Sequence, residues 1–485
     1  MSSHSMSSLT KQDCFIEGHW VPTEKRFAVT NPANGEVITE VADADGDLTK
    51  RAINAAEVAL AKWRATSTQE RAALLRKWYQ AIMDNKQALG ELMSAEQGKP
   101  VPEAVGEVEY GASFVDWFAG EAERINGDIL PITDNSKRVM VIKQPVGVCA
   151  AITPWNFPNA MITRKIAPAL AAGCTIVVKP PQLTPLSSLA LAQLASEVGI
   201  PDGVINILPT TDSKTVGEIL ATSKQVRKLS FTGSTGVGKI LMKQCAENVK
   251  KISLELGGNA PFIVFDDADL DAAAEQLMAC KFRNGGQTCI SANRVLVQDS
   301  VKEEFIKKVV SKVKALNVGP GDKEDVDLGP LIDQDAVDKV QRLVISAKSD
   351  GAEIEEGGSV MTDLGDLFYA PTVISGVTQD MEITQEEIFG PVIAISSFET
   401  EEEAIQQAND TPFGLASYFA AKDTARIFRV SEGLEYGMVG VNTGAISHAY
   451  NPFGGIKESG IGREGSKYGI DEYLEIKTIT LGGLE

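Results

Sequence analysis

Histidine is scarce in this 485-residue chain, and cysteine does not occur in the patterns typical of metal sites or disulfide frameworks. Three histidines are a poor supply for a catalytic triad built on a histidine base. The six cysteines are scattered singly, without a Cys-x-x-Cys pair, at positions 14, 149, 174, 245, 280 and 289. The spacing therefore predicts neither a disulfide framework nor a zinc site, and no metal is expected.

Long apolar runs and basic clusters are also missing. No uninterrupted apolar stretch approaches the ~20 residues of a membrane span, and the first residues lack the order of a signal peptide. A net charge of −20 without a basic patch repels the phosphates of nucleic acid. We therefore expect a cytoplasmic protein with a short flexible N-terminal tail, a small-molecule substrate, and no nucleic-acid or membrane partner.

One cysteine has the surroundings of a reactive thiol. Cys289 lies in the segment KFRNGGQTCISANR, in which Gly285 and Gly286 disfavour a helix or strand and predict an accessible loop. Arg283 and Arg294 are expected to favour the thiolate, which is the nucleophilic form of sulfur. The alternative is that Cys289 fills a hydrophobic core, and composition alone favours that alternative.

The pattern between residues 145 and 258 predicts a doubly wound α/β fold. Apolar strands alternate there with amphipathic helices, which indicates a parallel sheet covered on both faces. Such sheets bind ligands at the carboxyl ends of their strands. Polar or glycine residues stand at those predicted ends, namely Asn156, Lys179, Gly233 with Ser234, and Glu255. A second α/β unit is predicted after Gly258, and the segment 138–143 is a candidate partner strand for the C-terminal segment.

Residues 233–239, GSTGVGK, resemble a nucleoside-triphosphate loop with one departure. Ile240 stands where a hydroxyl would coordinate magnesium, so phosphoryl transfer lacks a required ligand. What remains is a strand, a glycine turn and a helix start, which can bind a diphosphate through backbone N–H groups. A kinase or ATPase is therefore disfavoured.

Seven motifs taken together resemble the aldehyde dehydrogenase superfamily. They occur in the order that the family shows, as TPWNFP at 153–158, VVKP at 177–180, FTGSTGVG at 231–238, LELGG at 254–258, GQTC at 286–289, EEIFGP at 386–391 and NPFGGIKESG at 451–460. The resemblance covers nearly the whole chain and implies two doubly wound α/β domains plus a small β segment for oligomerisation. It disfavours the core-filling interpretation of Cys289.

The resemblance implies a catalytic role for three residues. The thiolate of Cys289 would attack the aldehyde carbon, and the oxyanion would be held by the side-chain amide of Asn156 and the backbone N–H of Cys289. Hydride would pass to a nicotinamide cofactor, which leaves a thioester. Glu255 would activate the water that releases the acid. A catalytically silent relative would be expected to lack one of these residues, and all three are present.

The resemblance also implies a set of cofactor contacts. They are Lys179 and Glu387 at the ribose hydroxyls, Gly233 and Ser234 at the diphosphate, Trp155 and Leu256 along the walls, and Phe389 near the nicotinamide. NAD-preferring members often place a glutamate three residues after the lysine, whereas this chain has Lys179, Pro180, Pro181 and Gln182. A neutral amide tolerates a 2′-phosphate, so the sequence favours NADP, with NAD as the alternative.

Within the superfamily, ITRKIAPAL, ACKFRN and REGSKYGIDEYLEIK are most similar to succinate-semialdehyde dehydrogenases. That similarity implies that Arg164, Arg283 and Ser447 hold the far carboxylate of the substrate, and that the enzyme acts in 4-aminobutyrate degradation. Without the family, Arg164 could be a helix-surface arginine and Ser447 a loop hydroxyl. Glutarate semialdehyde, one methylene longer, is the alternative substrate. Some relatives carry a second cysteine two residues after the nucleophile; here Ser291 predicts no redox switch at that point.

The same resemblance implies a division of the chain. Residues 1–124 and 145–257 would form the dinucleotide-binding domain, and residues 258–445 the domain that carries the thiol. Residues 125–144 and 457–485 would form oligomerisation strands of a homodimer or homotetramer.

Overall fold

The computed structural model describes residues 4–484. Residues 1–3 and residue 485 lie outside the described residues. They are the first residues of the predicted domain segment 1–124 and the last residue of the predicted strand segment 457–485. The α-helices of the described part are Met6–Leu9, Gly46–Ala65, Thr68–Asp84, Lys86–Gln97, Val101–Ala122, Ala160–Ala172, Leu186–Glu197, Ser213–Thr222, Thr235–Cys245, Leu270–Lys281, Lys302–Val313, Gln334–Ser349, Glu382–Gln385, Glu401–Asn409, Thr424–Gly433 and Ser466–Asp471. Short 3₁₀ turns cover Ala246–Asn248, Arg283–Gly286 and Asp299–Val301.

The first large sheet has eight strands, and its central strands run parallel. The order across it is His19–Val21, Cys14–Ile16, Ile205–Ile207, Thr175–Lys179, Val148–Ile152, Val226–Thr232, Lys251–Glu255 and Gly460–Ile461. The chain winds outward from Val148–Ile152 in both directions, which confirms the predicted doubly wound fold.

Helices cover both faces of this sheet because successive strand residues point to opposite sides. In strand Val148–Ile152, Cys149 enters the core that contains helix Ala160–Ala172, whereas Ala150 enters the core that contains helix Ser213–Thr222. Every residue of the strand is buried, which explains why its sequence is apolar without alternation.

The second large sheet has seven strands and supports the predicted second α/β unit. Its order is Glu353–Glu356, Thr372–Ser375, Val392–Phe398, Ala292–Gln298, Ala260–Val264, Ala416–Ala420 and Met438–Val441. Only the pairing of the first two strands is antiparallel. Helices Leu270–Lys281 and Lys302–Val313 contribute to a hydrophobic core against this sheet.

Three smaller sheets complete the described part of the chain. One pairs Arg26–Thr30 with Val37–Ala42, another pairs Phe413–Gly414 with Ile456–Lys457, and the third has the order Leu474–Leu481, Arg138–Pro145, Asp128–Leu130. The antiparallel pairing of Arg138–Pro145 with Leu474–Leu481 confirms the predicted partner strand. Residues 460 and 461 belong to the first large sheet, so within 457–485 the small sheet begins only at Leu474.

The N-terminal tail differs from its prediction. Residues 6–9 form a helical turn, and Leu9 is fully buried in the same core as Trp63. One buried leucine is enough to hold a short segment against the domain. No helix within residues 4–484 combines the length and the apolar character needed to cross a bilayer.

Candidate active site

The Cys289 loop connects helix Leu270–Lys281 to strand Ala292–Gln298, as the sequence predicts. Asn284, Gly285 and Gly286 all have positive φ, at 53°, 62° and 79°. A Cβ at position 286 would lie 2.2 Å from the carbonyl oxygen of Gly390, so glycine is required there for both space and backbone conformation.

The backbone of the Cys289 loop lies directly against the residues that follow the last parallel strand of the first sheet. A Cβ at Gly258 would lie 2.4 Å from the carbonyl oxygen of Cys289. Gly258 directly follows Gly257 and the last parallel strand, Lys251–Glu255. Glycine at position 258 therefore allows the two sheets to bring their functional residues together.

The thiol of Cys289 is not held as a thiolate in this state of the protein. Burial, followed by the nearby Glu387 carboxylate, raises the pKa of Cys289 from 9.0 to about 12. Arg164 is the cation that opposes this shift most, and the backbone N–H of Cys289 also lowers the pKa of its own sulfur. The expectation that Arg283 and Arg294 keep the sulfur ionised is wrong.

Arg294 has a structural role instead. It lies on strand Ala292–Gln298, and its side chain is fully buried. Its guanidinium donates hydrogen bonds to backbone oxygens, those of Gln407 at 2.8 Å, Ala408 at 2.8 Å and Asn259 at 3.1 Å. The guanidinium of Arg294 therefore holds separate segments of the second domain together.

The raised thiol pKa leads to a prediction for chemical modification. Because a pKa of about 12 lies far above neutral pH, the thiolate fraction of the cofactor-free protein grows about tenfold per pH unit. We expect the rate of iodoacetamide inactivation to rise about tenfold per unit between pH 7 and 9 without a plateau. A plateau below pH 9 would contradict the assigned environment, and the Cys289→Ala variant provides the background rate.

A cavity of about 280 Å³ opens beside Cys289 and brings together most of the predicted cofactor residues. Its lining includes Trp155, Asn156, Gly233, Ser234, Leu256, Cys289, Glu387 and Phe389. The rings of Trp155 and Phe389 meet edge to face, with centroids 5.7 Å apart. Apolar walls next to a thiol fit a flat aromatic ring such as nicotinamide.

The predicted diphosphate turn has the expected local structure. Strand Val226–Thr232 ends at Gly233, and helix Thr235–Cys245 begins two residues later with Ser234 as its N-cap. The side chain of Ser234 accepts a hydrogen bond from the N–H of Val237. Ile240, on the same helix, is more than half exposed. The turn therefore presents a helix N-terminus to the cavity, which suits a diphosphate.

Lys179 ends the neighbouring parallel strand but lies outside the lining of that cavity. Burial lowers the pKa of Lys179 to about 8, and its ammonium donates to the carbonyl oxygen of Pro180 at 3.2 Å. Pro181 is buried beside it, and Gln182 is exposed. Within residues 4–484 its one hydrogen-bond partner is this backbone oxygen, so the ammonium of Lys179 has further N–H groups to donate to ribose hydroxyls.

Glu387 approaches the same region from the second domain. One carboxylate oxygen accepts a hydrogen bond from the N–H of Gly258 at 3.1 Å. Burial raises the pKa of Glu387 to about 7, because the charged form loses contact with water.

The side chain of Asn156 points toward the Cys289 loop. Its Nδ2 donates to the carbonyl oxygen of Gln287 at 2.9 Å, and its backbone oxygen accepts from Lys99 at 2.9 Å and from Asn284 at 3.0 Å. Lys99 is fully buried and paired with Glu107. The sequence did not predict a role for Lys99, Asn284 or Glu107, because nothing in the neighbouring sequence shows that this lysine is buried against Asn156.

Glu255 does not line either of the cavities that contain Cys289, although its carboxylate is close enough to raise the pKa of the thiol. It is buried, and neither carboxylate oxygen has a hydrogen-bond partner in residues 4–484. Burial and the neighbouring Glu464 raise the pKa of Glu255 well above its ordinary value, while Lys165 and Arg164 act in the opposite direction. Lys165 pairs with Glu464 at 2.5 Å.

The three predicted carboxylate ligands line a second, much tighter cavity. Arg164, Arg283 and Ser447 all contact this space together with Cys289, and its free volume is about 10 Å³. Arg164 is almost completely buried, so it is not a surface arginine. Its Nε lies 3.5 Å from Glu464. Tyr110 and the carboxylates of Glu464 and Glu255 outweigh burial and raise the pKa of Arg164, which keeps it charged.

Arg283 is the cation with the fewest polar contacts in this cavity. Its guanidinium stacks over the rings of Phe157 at 4.7 Å and Tyr110 at 5.3 Å. Among residues 4–484, no carboxylate lies within the 4.0 Å of an ion pair with Arg283. An arginine held by aromatic faces keeps its N–H donors free for an anion.

Comparisons with known proteins extend over nearly the whole chain. Residues 20–479 match the sequence profile of the Aldehyde dehydrogenase family. The glutarate-semialdehyde dehydrogenase of Pseudomonas aeruginosa is 53% identical over 480 residues, which are 99% of each chain. The NADP(+)-linked succinate-semialdehyde dehydrogenase GabD of Escherichia coli is 53% identical, with 98% of this chain and 99% of that protein covered. The 3-sulfolactaldehyde dehydrogenase of Pseudomonas putida is 52% identical, with 99% and 98% covered.

Solved structures agree with the sequence comparisons. A crystal structure described as an Escherichia coli NADP-dependent enzyme superposes with a TM-score of 0.97. It is 52% identical, and the alignment covers 98% of this chain and 99% of that one.

Proposed function

This chain belongs to the aldehyde dehydrogenase family, and on that basis we propose that it oxidises succinate semialdehyde to succinate with NADP or NAD as electron acceptor. The observation that carries the proposal is the convergence of Arg164, Arg283 and Ser447 on one cavity that also contains Cys289. The alternative substrate is glutarate semialdehyde or another aldehyde with a terminal carboxylate. The enzyme would consume the semialdehyde formed in 4-aminobutyrate degradation.

The charge distribution supports an anionic substrate. The net charge of the whole chain is −20, whereas this pocket contains two positively charged guanidinium groups. A carboxylate placed between Arg164 and Arg283 would form charge-assisted hydrogen bonds, and Ser447 would add a neutral donor. The aldehyde at the other end of the molecule would then lie near the sulfur of Cys289.

The relatives support the same class of substrate. Their names describe oxidation of succinate semialdehyde, glutarate semialdehyde and 3-sulfolactaldehyde, each of which carries an anionic group in addition to the aldehyde.

In the proposed reaction, Cys289 loses its proton and attacks the aldehyde carbon. Asn156 Nδ2 and the backbone N–H of Cys289 would stabilise the negative oxygen of the thiohemiacetal. A bound nicotinamide would supply the hydride acceptor for this step. Glu255, once ionised, would remove a proton from the water that attacks the remaining thioester.

We propose that Lys179 and Glu387 bind ribose hydroxyls of the cofactor, and that Gly233 and Ser234 hold its diphosphate. Trp155 and Leu256 would line its site, and Phe389 would lie against the nicotinamide. Pro180 and Pro181 connect Lys179 to the exposed Gln182. A neutral side chain at position 182 supports NADP, because it would not repel a 2′-phosphate. The NADP(+) in the name of the Escherichia coli relative supports the same choice.

The proposal includes a cytoplasmic homodimer or homotetramer with the domain division given above. The small sheet supports self-association, since Ile129 and Ile476 are 76% and 71% exposed on its strands. The six free cysteines suit a reducing compartment.

An Arg283→Ala variant tests the substrate proposal. We expect its KM for succinate semialdehyde to rise on the order of 100-fold, because removing one side of a desolvated charge pair costs about 2–5 kcal/mol. The kcat/KM for butanal, which has no carboxylate, should change less than about threefold. Initial rates with each aldehyde, with glutarate semialdehyde, and with NADP or NAD measure these effects.

The matched control for this variant is Arg227→Ala, which removes an exposed arginine at the opposite edge of the first sheet. An unchanged KM for succinate semialdehyde in Arg283→Ala would refute the carboxylate site. A higher kcat/KM for glutarate semialdehyde in the wild type would favour the alternative substrate.

A further inference from the structure

Tyr110 stands between the groups that are proposed to bind the substrate carboxylate. It lies on helix Val101–Ala122 and lines the tight cavity together with Arg164, Arg283 and Ser447. Its hydroxyl accepts a hydrogen bond from Arg164 at 2.7 Å and is also hydrogen-bonded to the hydroxyl of Ser447. Tyr110 is therefore the one described residue that hydrogen-bonds both Arg164 and Ser447.

The direction of these hydrogen bonds follows from the chemistry of the donors. A guanidinium group can only donate, so the oxygen of Tyr110 must act as acceptor toward Arg164. The proton of Tyr110 is then free to be donated to the oxygen of Ser447. As a result, the proton of Ser447 is available to point into the cavity, where it would meet an acceptor such as a carboxylate.

The ring of Tyr110 has contacts that are separate from its hydroxyl. It packs edge to face on Phe114, with centroids 5.1 Å apart, and the guanidinium of Arg283 lies 5.3 Å from its centre. A phenylalanine at position 110 would preserve both contacts and remove only the hydrogen-bonding oxygen. The hydrogen-bond chain can therefore be tested without disturbing the packing.

We propose that Tyr110 is a positioning residue for anionic aldehydes: it orients Arg164 and turns the hydroxyl of Ser447 into a donor toward the carboxylate of the substrate. This role rests on the proposed function, because it concerns the same carboxylate site and specifies which of its groups donate hydrogen bonds. It adds Tyr110, on helix Val101–Ala122, to the residues that the sequence predicted for this site.

The Tyr110→Phe variant tests this inference. The KM for succinate semialdehyde should rise about tenfold, which is the effect of losing one hydrogen bond in a desolvated site, while kcat changes less than about twofold. The kcat/KM for butanal should stay within about twofold of the wild type. Ser447→Ala should produce a similar selective loss, and the double variant should lose less than the product of the two single losses, because part of the effect of Tyr110 passes through Ser447.

Tyr79→Phe is the matched control, since it removes a phenolic oxygen from the neighbouring surface cavity, which Tyr110 also lines. Its kinetics should equal those of the wild type. An unchanged KM in Tyr110→Phe, an equal loss with both aldehydes, or additive effects in the double variant would each overturn the inference. If the wild type itself shows no preference for succinate semialdehyde over butanal, the proposed function fails. If that preference holds and Arg283→Ala abolishes it while Tyr110→Phe does not weaken it, only the role of Tyr110 fails.

Discussion

Replacing Cys289 by alanine is expected to lower kcat for aldehyde oxidation by about 10⁴-fold or more, since without the sulfur no covalent intermediate can form. The oxyanion donors of Asn156 and the backbone would remain, but they stabilise charge only after a nucleophile has attacked. Steady-state assays with saturating cofactor measure the loss. Cys289 is only partly buried, so the thermal unfolding midpoint should shift little.

Cys280→Ser is the matched control for that variant. Cys280 is buried under Ile290, to whose carbonyl oxygen its sulfur is hydrogen-bonded at 3.7 Å, and it lines neither cavity of the site. Its variant should retain activity within a few-fold. Full turnover by Cys289→Ser would remove the basis of the proposed chemistry.

Glu255→Gln is expected to lower kcat by about 10²–10⁴-fold through the hydrolysis of the thioester. Because the acylation step is proposed not to need this carboxylate, rapid mixing should show a burst of reduced cofactor close to one equivalent per Cys289. Intact-protein mass spectrometry should then detect an acyl group on the protein.

The pH dependence of the wild type follows from the raised pKa of Glu255. The base must be ionised to act, so hydrolysis should decline as pH falls through that raised value, and Glu255→Gln should lose this dependence. Glu247→Gln, an exposed carboxylate on the turn Ala246–Asn248, provides the control. A variant that hydrolyses the thioester at the wild-type rate would show that another group is the base.

The sequence carried most of the information about the first sheet. Continuous apolar strands separated by helices predict a parallel sheet, and its strand ends place Asn156, Lys179, Gly233 and Glu255 at one edge. The conformation of the Cys289 loop was also predictable, since two adjacent glycines permit the positive φ angles that the structure shows. These predictions depend on local sequence alone.

Other features of the site depend on tertiary packing and could not be inferred locally. The two arginines near Cys289 in sequence have different surroundings, because Arg283 faces the substrate cavity while the side chain of Arg294 is buried among backbone carbonyls. Burial and Glu387, which is 98 residues away in sequence, decide the pKa of Cys289. In the sequence, Tyr110 cannot be distinguished from the other residues of its helix. Its role becomes evident only from the hydrogen bond with Arg164.

The absence of a side chain at Gly258 also bears on how well the reacting groups keep their spacing. A main-chain carbonyl fills the place where a Cβ would stand, so one peptide unit of the thiol loop rests directly on another at the end of the first sheet. No rotamer intervenes between them. The spacing of the two backbones at this point is thus set by the thickness of the main chain.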